Sequence, residues 1–209
     1  MSPANILVLY YSRTGATAEL ARHVCRGVES VDGATAVLRS TPPVTADDEH
    51  PVRAVPDSGA PWVKHDDLRQ CDGLLLGSPT RFGNMAAALK YFLDGAAAIW
   101  AEGSLVGKPA GVFTGSSSLH GGQESTLLTM MVPLLHHGML ITGVPYTESA
   151  LSETRSGGGP YGASHFTPHG TAVTFTDHEK RIAHALGARV AQLAIDLKDR
   201  RVSRARTAR

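Results

Sequence analysis

Five short apolar runs, at residues 6–11, 36–38, 73–77, 110–113 and 139–144, punctuate this 209-residue chain, with helical patterns between them. Each run is continuous rather than alternating, which marks strands covered on both faces. Between them, Leu20, Val24 and Val28 recur at helical spacing, as do Met85, Leu89, Phe92 and Leu93. Leu186, Val190, Leu193 and Leu197 mark a final helix. Strand alternating with helix dictates a parallel sheet with right-handed crossovers and helices on both faces.

Five such strands predict an α/β, doubly wound, flavodoxin-like sheet in the order 2-1-3-4-5, with a crevice where the order reverses, outside the strands' carboxyl ends. Residues 1–198 are expected to form this single domain. Two segments exceed the minimal pattern. Residues 41–64 are proline-rich, and residues 147–176 are rich in Gly, Ser, Thr and His. Loops of that length in a compact domain are usually functional or unstructured.

Charge and cysteine usage narrow the class of protein. Of the formal net charge of +1, the last twelve residues contribute +5, because Lys198, Arg200, Arg201, Arg204, Arg206 and Arg209 face only Asp199. The remaining body therefore carries −4. Residues 199–209, without aromatic residues or an apolar face, are expected to be a disordered, solvated basic tail rather than a nucleic-acid site. No run of 18 apolar residues and no signal-peptide pattern is present, so a cytoplasmic protein without membrane insertion is expected. Cys25 and Cys71 have no metal-type spacing and read as packing thiols.

The first run enters Ser12-Arg13-Thr14-Gly15-Ala16-Thr17. In this architecture the hexapeptide lies at the start of helix 1, where unpaired N–H groups and the helix dipole attract an anion. Ser12, Thr14 and Thr17 add hydroxyls, and Gly15 permits close approach. The alternative is that Thr14 or Thr17 merely caps the helix. Neither G-x-G-x-x-G nor G-x-x-x-x-G-K-[ST] occurs here, and Arg13 is not a P-loop lysine. A cradle without that lysine suits a phosphate monoester, such as that of FMN, better than a triphosphate with Mg²⁺. The ends of strands 3 and 4, in GSPTRFGNM from Gly77 and FTGSSSLHGGQE from Phe113, are glycine- and serine-rich, as the edge of a flat heteroaromatic ring requires.

The motifs SPTRFGNM, LHGGQE, LLHHGM and GGPYGASHF, in that order after the hexapeptide, resemble those of the WrbA-type NAD(P)H:quinone oxidoreductases over about residues 4–198. The resemblance implies an FMN-dependent enzyme that reduces quinones by two electrons, with NADH or NADPH as co-substrate, commonly as a homotetramer. Carried over by motif, Ser12, Arg13, Thr14, Gly15, Ala16 and Thr17 would hold the FMN phosphate. Pro79, Thr80, Arg81, Phe82 and Gly83, with Thr114, Gly115, Ser116, Ser117 and Ser118, would bracket the ring. His136 would be the catalytic histidine beside the flavin, and Trp100 would wall the substrate pocket. Thr14 stands where many members have a tyrosine that stacks on substrate. The expected chemistry is ping-pong, with hydride transfer from NAD(P)H to flavin N5, then reduction of quinone.

Other readings compete with this one. Trp100 by itself reads as a core aromatic, Arg81 as a surface charge and His120 as a solvated loop residue. His136 and His137 point in different directions on a helix and would not share a metal, so no metal site is expected. Pro133 interrupts the helical run 126–137 and is expected to kink or restart it, aiming His136 at the flavin. A one-electron flavodoxin-type carrier would typically be strongly acidic, unlike a body of −4. A non-catalytic regulator is the third class, and it would not take up FMN.

Overall fold

A computed structural model describes residues 2–45, 53 and 55–207 of the chain. All strands pair in parallel. The order is β2-β1-β3-β4-β5, from β1 (Ala4–Tyr10), β2 (Ala34–Ser40), β3 (Gly73–Pro79), β4 (Pro109–Ser116) and β5 (Leu140–Ile141). A sixth strand, β6 (Ala163–Phe166), also pairs with β4. The expected order is therefore correct, and the expected strand count is one short.

β5 and β6 occupy one lane of the sheet. Leu140 and Ile141 pair with Pro109 and Ala110, while Ala163 to Phe166 pair with Phe113 to Ser116. The chain leaves the lane after β5, makes an excursion that includes the short helix α6 (Ala150–Glu153), and returns farther along it. Much of the long segment 147–176 thus docks on its own subunit.

Alternation along the strands sorts the core into two layers. Ile6, Val8 and Leu75 face α1 (Ala16–Glu29) and α7 (Asp177–Thr207), whose Leu20, Val24, Val28, Ile182, Leu186 and Val190 are fully buried. Leu7, Leu9, Leu74 and Leu76 face the other layer, built from α2 (His65–Gln70), α3 (Ala87–Asp94), α4 (Ala97–Ala101) and α5 (Gln123–His136). Leu193 and Leu197 are only partly buried, so the small Ala191 and Ala194 complete the contact face of α7. Cys25 and Cys71 are both buried, and burial pushes the Cys25 thiol up to about 12.

Three local expectations meet a different outcome. α5 continues through Pro133 with no restart, and His137 N–H donates to the Pro133 carbonyl in the last turn. The helix expected from Met85, Leu89, Phe92 and Leu93 begins only at Ala87 and stops at Asp94, and Trp100 lies on the separate short helix α4. The helix of α7 extends through Thr207, into the stretch expected to be unstructured. A helix already nucleated and docked propagates without repeating the nucleation cost. No helix among the described residues is long and apolar enough to cross a membrane.

Candidate functional site

The carboxyl ends of β1, β3, β4 and β6 open onto one cleft of about 490 Å³. Its first wall is the β1–α1 loop, contributing Ser12, Arg13, Thr14, Ala16 and Thr17. Ser12 Oγ accepts the Gly15 N–H at 3.1 Å and tightens that loop. Gly15 adopts φ 96°, a left-handed conformation that disfavours a Cβ, and begins α1 with no side-chain cap. The capping alternative for Thr14 and Thr17 therefore fails. Their hydroxyls and the free first-turn N–H groups are left to face the cleft.

The second wall follows β3, with Pro79, Thr80 and Arg81, and the third follows β4, with Gly115, Ser116, Ser117, Ser118 and Gly121. Hydrogen bonds hold these walls to one another. Thr80 N–H donates to the Gly115 carbonyl at 2.8 Å, and Thr126 Oγ1 donates to Thr80 Oγ1 at 2.8 Å. Arg81 Nη1 donates to the Thr80 carbonyl at 2.9 Å. A Cβ at Gly122 would lie 2.9 Å from Gly83 Cα, so the two loops approach this closely only because Gly122 has none.

Residues 167–173 close a fourth side, with Thr167, Pro168, His169, Gly170, Thr171 and Val173. Sequence reasoning did not anticipate this wall. It is positioned by β6 through a buried polar chain: Gln123 Nε2 donates to Ser116 Oγ at 2.7 Å, and Ser164 Oγ donates to Gln123 Oε1 at 2.6 Å. Thr167 N–H donates to the Ser116 carbonyl at 3.0 Å, and Thr167 Oγ1 lies 2.5 Å from His165 Nε2. Behind it, His165 Nδ1 meets Glu179 at 3.1 Å, both residues 1% exposed, while the Phe175 ring stacks on His165 at 3.7 Å.

Several expected site residues lie elsewhere. Thr114 is fully buried and pins β4 to β3 by donating to the Ser78 carbonyl at 2.7 Å, so it brackets nothing. Gly15 turns toward a neighbouring hollow. Phe82 and Gly83 are the central pair of a tight turn closed by Arg81 and Asn84, with φ 52° and 77°. That turn tips Phe82 into solvent. His136 ends α5, thirteen residues from the cleft end at Gln123, or roughly 20 Å along the helix. Pro133 therefore does not aim His136 at its own subunit's cleft. Trp100 lies beside His136, donating its indole N–H to the His136 carbonyl at 3.0 Å, and is 60% exposed.

The cleft contains Arg13, Arg81 and His169, and no Asp or Glu is among its described lining residues. No group of three metal-ligating side chains occurs among the described residues. Uncommitted hydroxyls and N–H groups beside unopposed guanidinium charge, facing two glycine- and serine-rich loops, fit a flat ring carrying a phosphate. FMN has that shape and charge.

Comparison with known proteins agrees. Residues 4–150 match the family described as NADPH-dependent FMN reductase. A protein of Geobacter sulfurreducens named NAD(P)H dehydrogenase (quinone) is 41% identical over 201 residues, covering 92% of this chain and 98% of its own. One of the same name from Syntrophobacter fumaroxidans is 40% identical over 202 residues, covering 90% and 96%. Among solved structures, a WrbA-like flavodoxin from Agrobacterium tumefaciens superposes with TM-score 0.64 at 24% identity, over 92% of this chain and 98% of that one. Flavodoxin 1 of Bacillus cereus gives 0.58 at 16% identity, over 90% and 98%. With the family matched over most of its length and its cleft shaped for a flavin phosphate, the chain belongs to the NADPH-dependent FMN reductase family.

Proposed function

We propose that this protein catalyses the FMN-dependent two-electron reduction of quinones by NADH or NADPH, in a ping-pong cycle through flavin N5. The observation that carries the reading is a cleft whose described lining holds arginines and no carboxylate, at an uncapped helix start and bracketed by glycine- and serine-rich loops. The quinone dehydrogenase names of its relatives supply the substrate class. FMN, when bound, supplies hydride acceptance at N5 and delivery of two electrons.

The chain's own residues supply position and charge. Ser12 to Thr17 hold the phosphate, while Pro79 to Arg81 and Gly115 to Ser118 flank the ring. Arg81, tied to the Thr80 carbonyl, keeps positive charge at the cleft edge and favours negative charge on the bound group. Thr167 to Thr171 narrow the approach of water from the β6 side. The two buried thiols suit a reducing, cytoplasmic setting.

The test is direct. The purified protein is expected to show a flavin spectrum with added FMN and to oxidise NAD(P)H in the presence of a quinone. Thr14→Val and Thr17→Val keep volume but remove a donor to a charged group. Each is expected to weaken FMN about ten- to hundred-fold, since such a bond contributes roughly 1.5–3 kcal/mol. Equal FMN titrations in both variants would remove the hexapeptide from the phosphate site, and a stable one-electron form without NADH turnover would favour the carrier reading.

The reading extends to a homotetramer in which neighbours complete each cleft. Its support is that His136 and Trp100 sit together, exposed, far from their own cleft. Beside them Leu128, Val132 and Leu135 form an exposed stripe at i, i+4 and i+7 on α5, 45%, 52% and 57% exposed. Packed against another subunit, that stripe carries His136 and Trp100 toward the partner's crevice, and Tyr161 lies near the same walls. Leu135→Glu is expected to lower the assembly state in sedimentation and to reduce quinone turnover while the fold survives. A variant that stays tetrameric, or a monomer with full turnover, would sink the shared-site reading.

A further inference from the structure

The motif LHGGQE places Gln123 one residue before its end, and the chemistry proposed above gives that residue no part. Gln123 opens α5 directly after the left-handed Gly122, and its amide lies between the ends of β4 and β6, where it meets Ser116 and Ser164. It is 4% exposed, and neither it nor Ser164 is among the described residues that line the cleft.

Hydrogen bonding leaves that amide one orientation. Gly158 N–H donates to Ser164 Oγ at 2.7 Å, and the Ser164 hydroxyl passes its own proton to Gln123 Oε1 at 2.6 Å. With its oxygen turned to Ser164, the amide sets its nitrogen 2.7 Å from Ser116 Oγ. Ser116, accepting there, donates its hydroxyl proton to the Ser118 carbonyl, also 2.7 Å away. Donors therefore run in one direction, from a backbone N–H in the excursion to a backbone carbonyl in the loop after β4. Turning the amide over would set donor against donor or acceptor against acceptor, which is costly for buried groups.

The carbonyl at the end of this chain is held twice, since Gly121 N–H also donates to it at 3.3 Å. A trans peptide carries its N–H opposite its carbonyl, so drawing the Ser118 carbonyl toward Ser116 turns the next N–H the other way. Ser116, Ser117, Ser118 and Gly121 line the cleft. The direction of one buried hydroxyl thus decides which backbone groups this wall offers to a ligand.

We infer that Gln123 is a positioning residue for FMN: its amide fixes the Ser116 hydroxyl, and through it the wall from Ser116 to Ser118, and it couples that wall to β6. The inference rests on FMN as the ligand of the cleft and not on quinone as the substrate. Thr167 N–H donates to the Ser116 carbonyl at 3.0 Å, so the fourth wall is tied to the same residue that Gln123 orients.

Titration of the FMN-free protein with FMN across about pH 5–8 reads this role without turnover. Gln123→Met keeps the bulk and makes neither bond, so its Kd for FMN should be about ten-fold above wild type at every pH. Gln123→Glu should show the same loss while ionised, because a carboxylate has no proton to give Ser116, and should approach wild type as acid restores the donor. Burial raises the pKa of such a carboxyl and brings the recovery into the measured range. Each Kd is taken relative to wild type at the same pH, which removes the titration of the FMN phosphate. Ser164→Ala, set back from the cleft, should weaken FMN roughly five-fold by freeing the amide to turn, and it keeps the experiment decisive if Gln123→Met does not fold. A residue that only filled space would give a Gln123→Glu ratio independent of pH. That result, or wild-type affinity in both Gln123→Met and Ser164→Ala, would overturn the inference. A wild-type protein that takes up no FMN would overturn it together with the cofactor, whereas one that binds FMN but reduces no quinone would sink the proposed function while these titrations still decide Gln123.

Discussion

Glu179→Ala is expected to destabilise the protein by about 3–5 kcal/mol, the range typical of removing one partner from a buried charged cluster. Glu179 accepts the N–H groups of Gly157 and Phe166, each at 3.0 Å, and that of Thr176 at 2.9 Å, besides meeting His165. Thr176 Oγ1 in return accepts the Glu179 N–H at 3.2 Å, so a capping box starts α7. One carboxylate thereby ties the excursion, β6 and α7 together. Burial alone would raise its pKa, but hydrogen bonds from His165, Thr176 and Phe166, with the charge of His165, outweigh burial and hold it at about 2.

The sign of the pH dependence follows. The folded value lies below the ordinary 4.5, so the stabilisation is fully present above pH 4.5 and is lost as pH falls through about 2. The shift corresponds to about 3 kcal/mol. Thermal melts of wild type and Glu179→Gln from pH 7 down to pH 2.5 provide the measurement: the wild-type advantage should shrink through the acid window. A constant gap between the two would mean that the carboxylate contributes only shape. Because residues 167–173 wall the cleft, Glu179→Ala is also expected to weaken FMN.

Gly27→Val should be nearly as damaging for a different reason. A Cβ at Gly27 would sit 2.1 Å from the His184 carbonyl oxygen, and one at Gly187 would sit 2.2 Å from that of Val24. α1 and α7 cross backbone against backbone, so no rotamer change relieves the clash. Overpacking of this kind costs about 1–3 kcal/mol or more, and the upper end corresponds to a fall in Tm of roughly 6–12 °C. Moving α1 also moves the phosphate loop at its start, so FMN affinity should fall with Tm. A melt unchanged from wild type would show that the helices slide apart freely.

The strands and long helices were readable because their signal is local: continuous apolar runs for buried strands, and spacing of three to four for helix faces. β6 carries no such signal. Its Ser164 and His165 are buried only because Gln123 and Glu179, 41 and 14 residues away, satisfy them. The same distance hides the wall at Thr167 to Val173. The cleft loops were legible because the fold class fixes where strand ends converge. Thr114 was misplaced by one turn of reasoning, since a hydroxyl near a strand end can face inward as easily as outward. His136 and Trp100 were recognised by motif, and no motif states on which end of a helix its residue will lie.

The lane shared by β5 and β6 has a bearing on how such a chain can grow. Both ends of the excursion are anchored to β4, by pairing at Ala110 on one side and at Phe113 on the other. Residues inserted between those anchors lengthen a loop whose closure cost rises only with the logarithm of its length. Registers elsewhere in the sheet need not change, and neither do the walls of the cleft. The lane is therefore a point at which lineages can add or trim surface, and with it partners, while the chemistry at the strand ends stays intact.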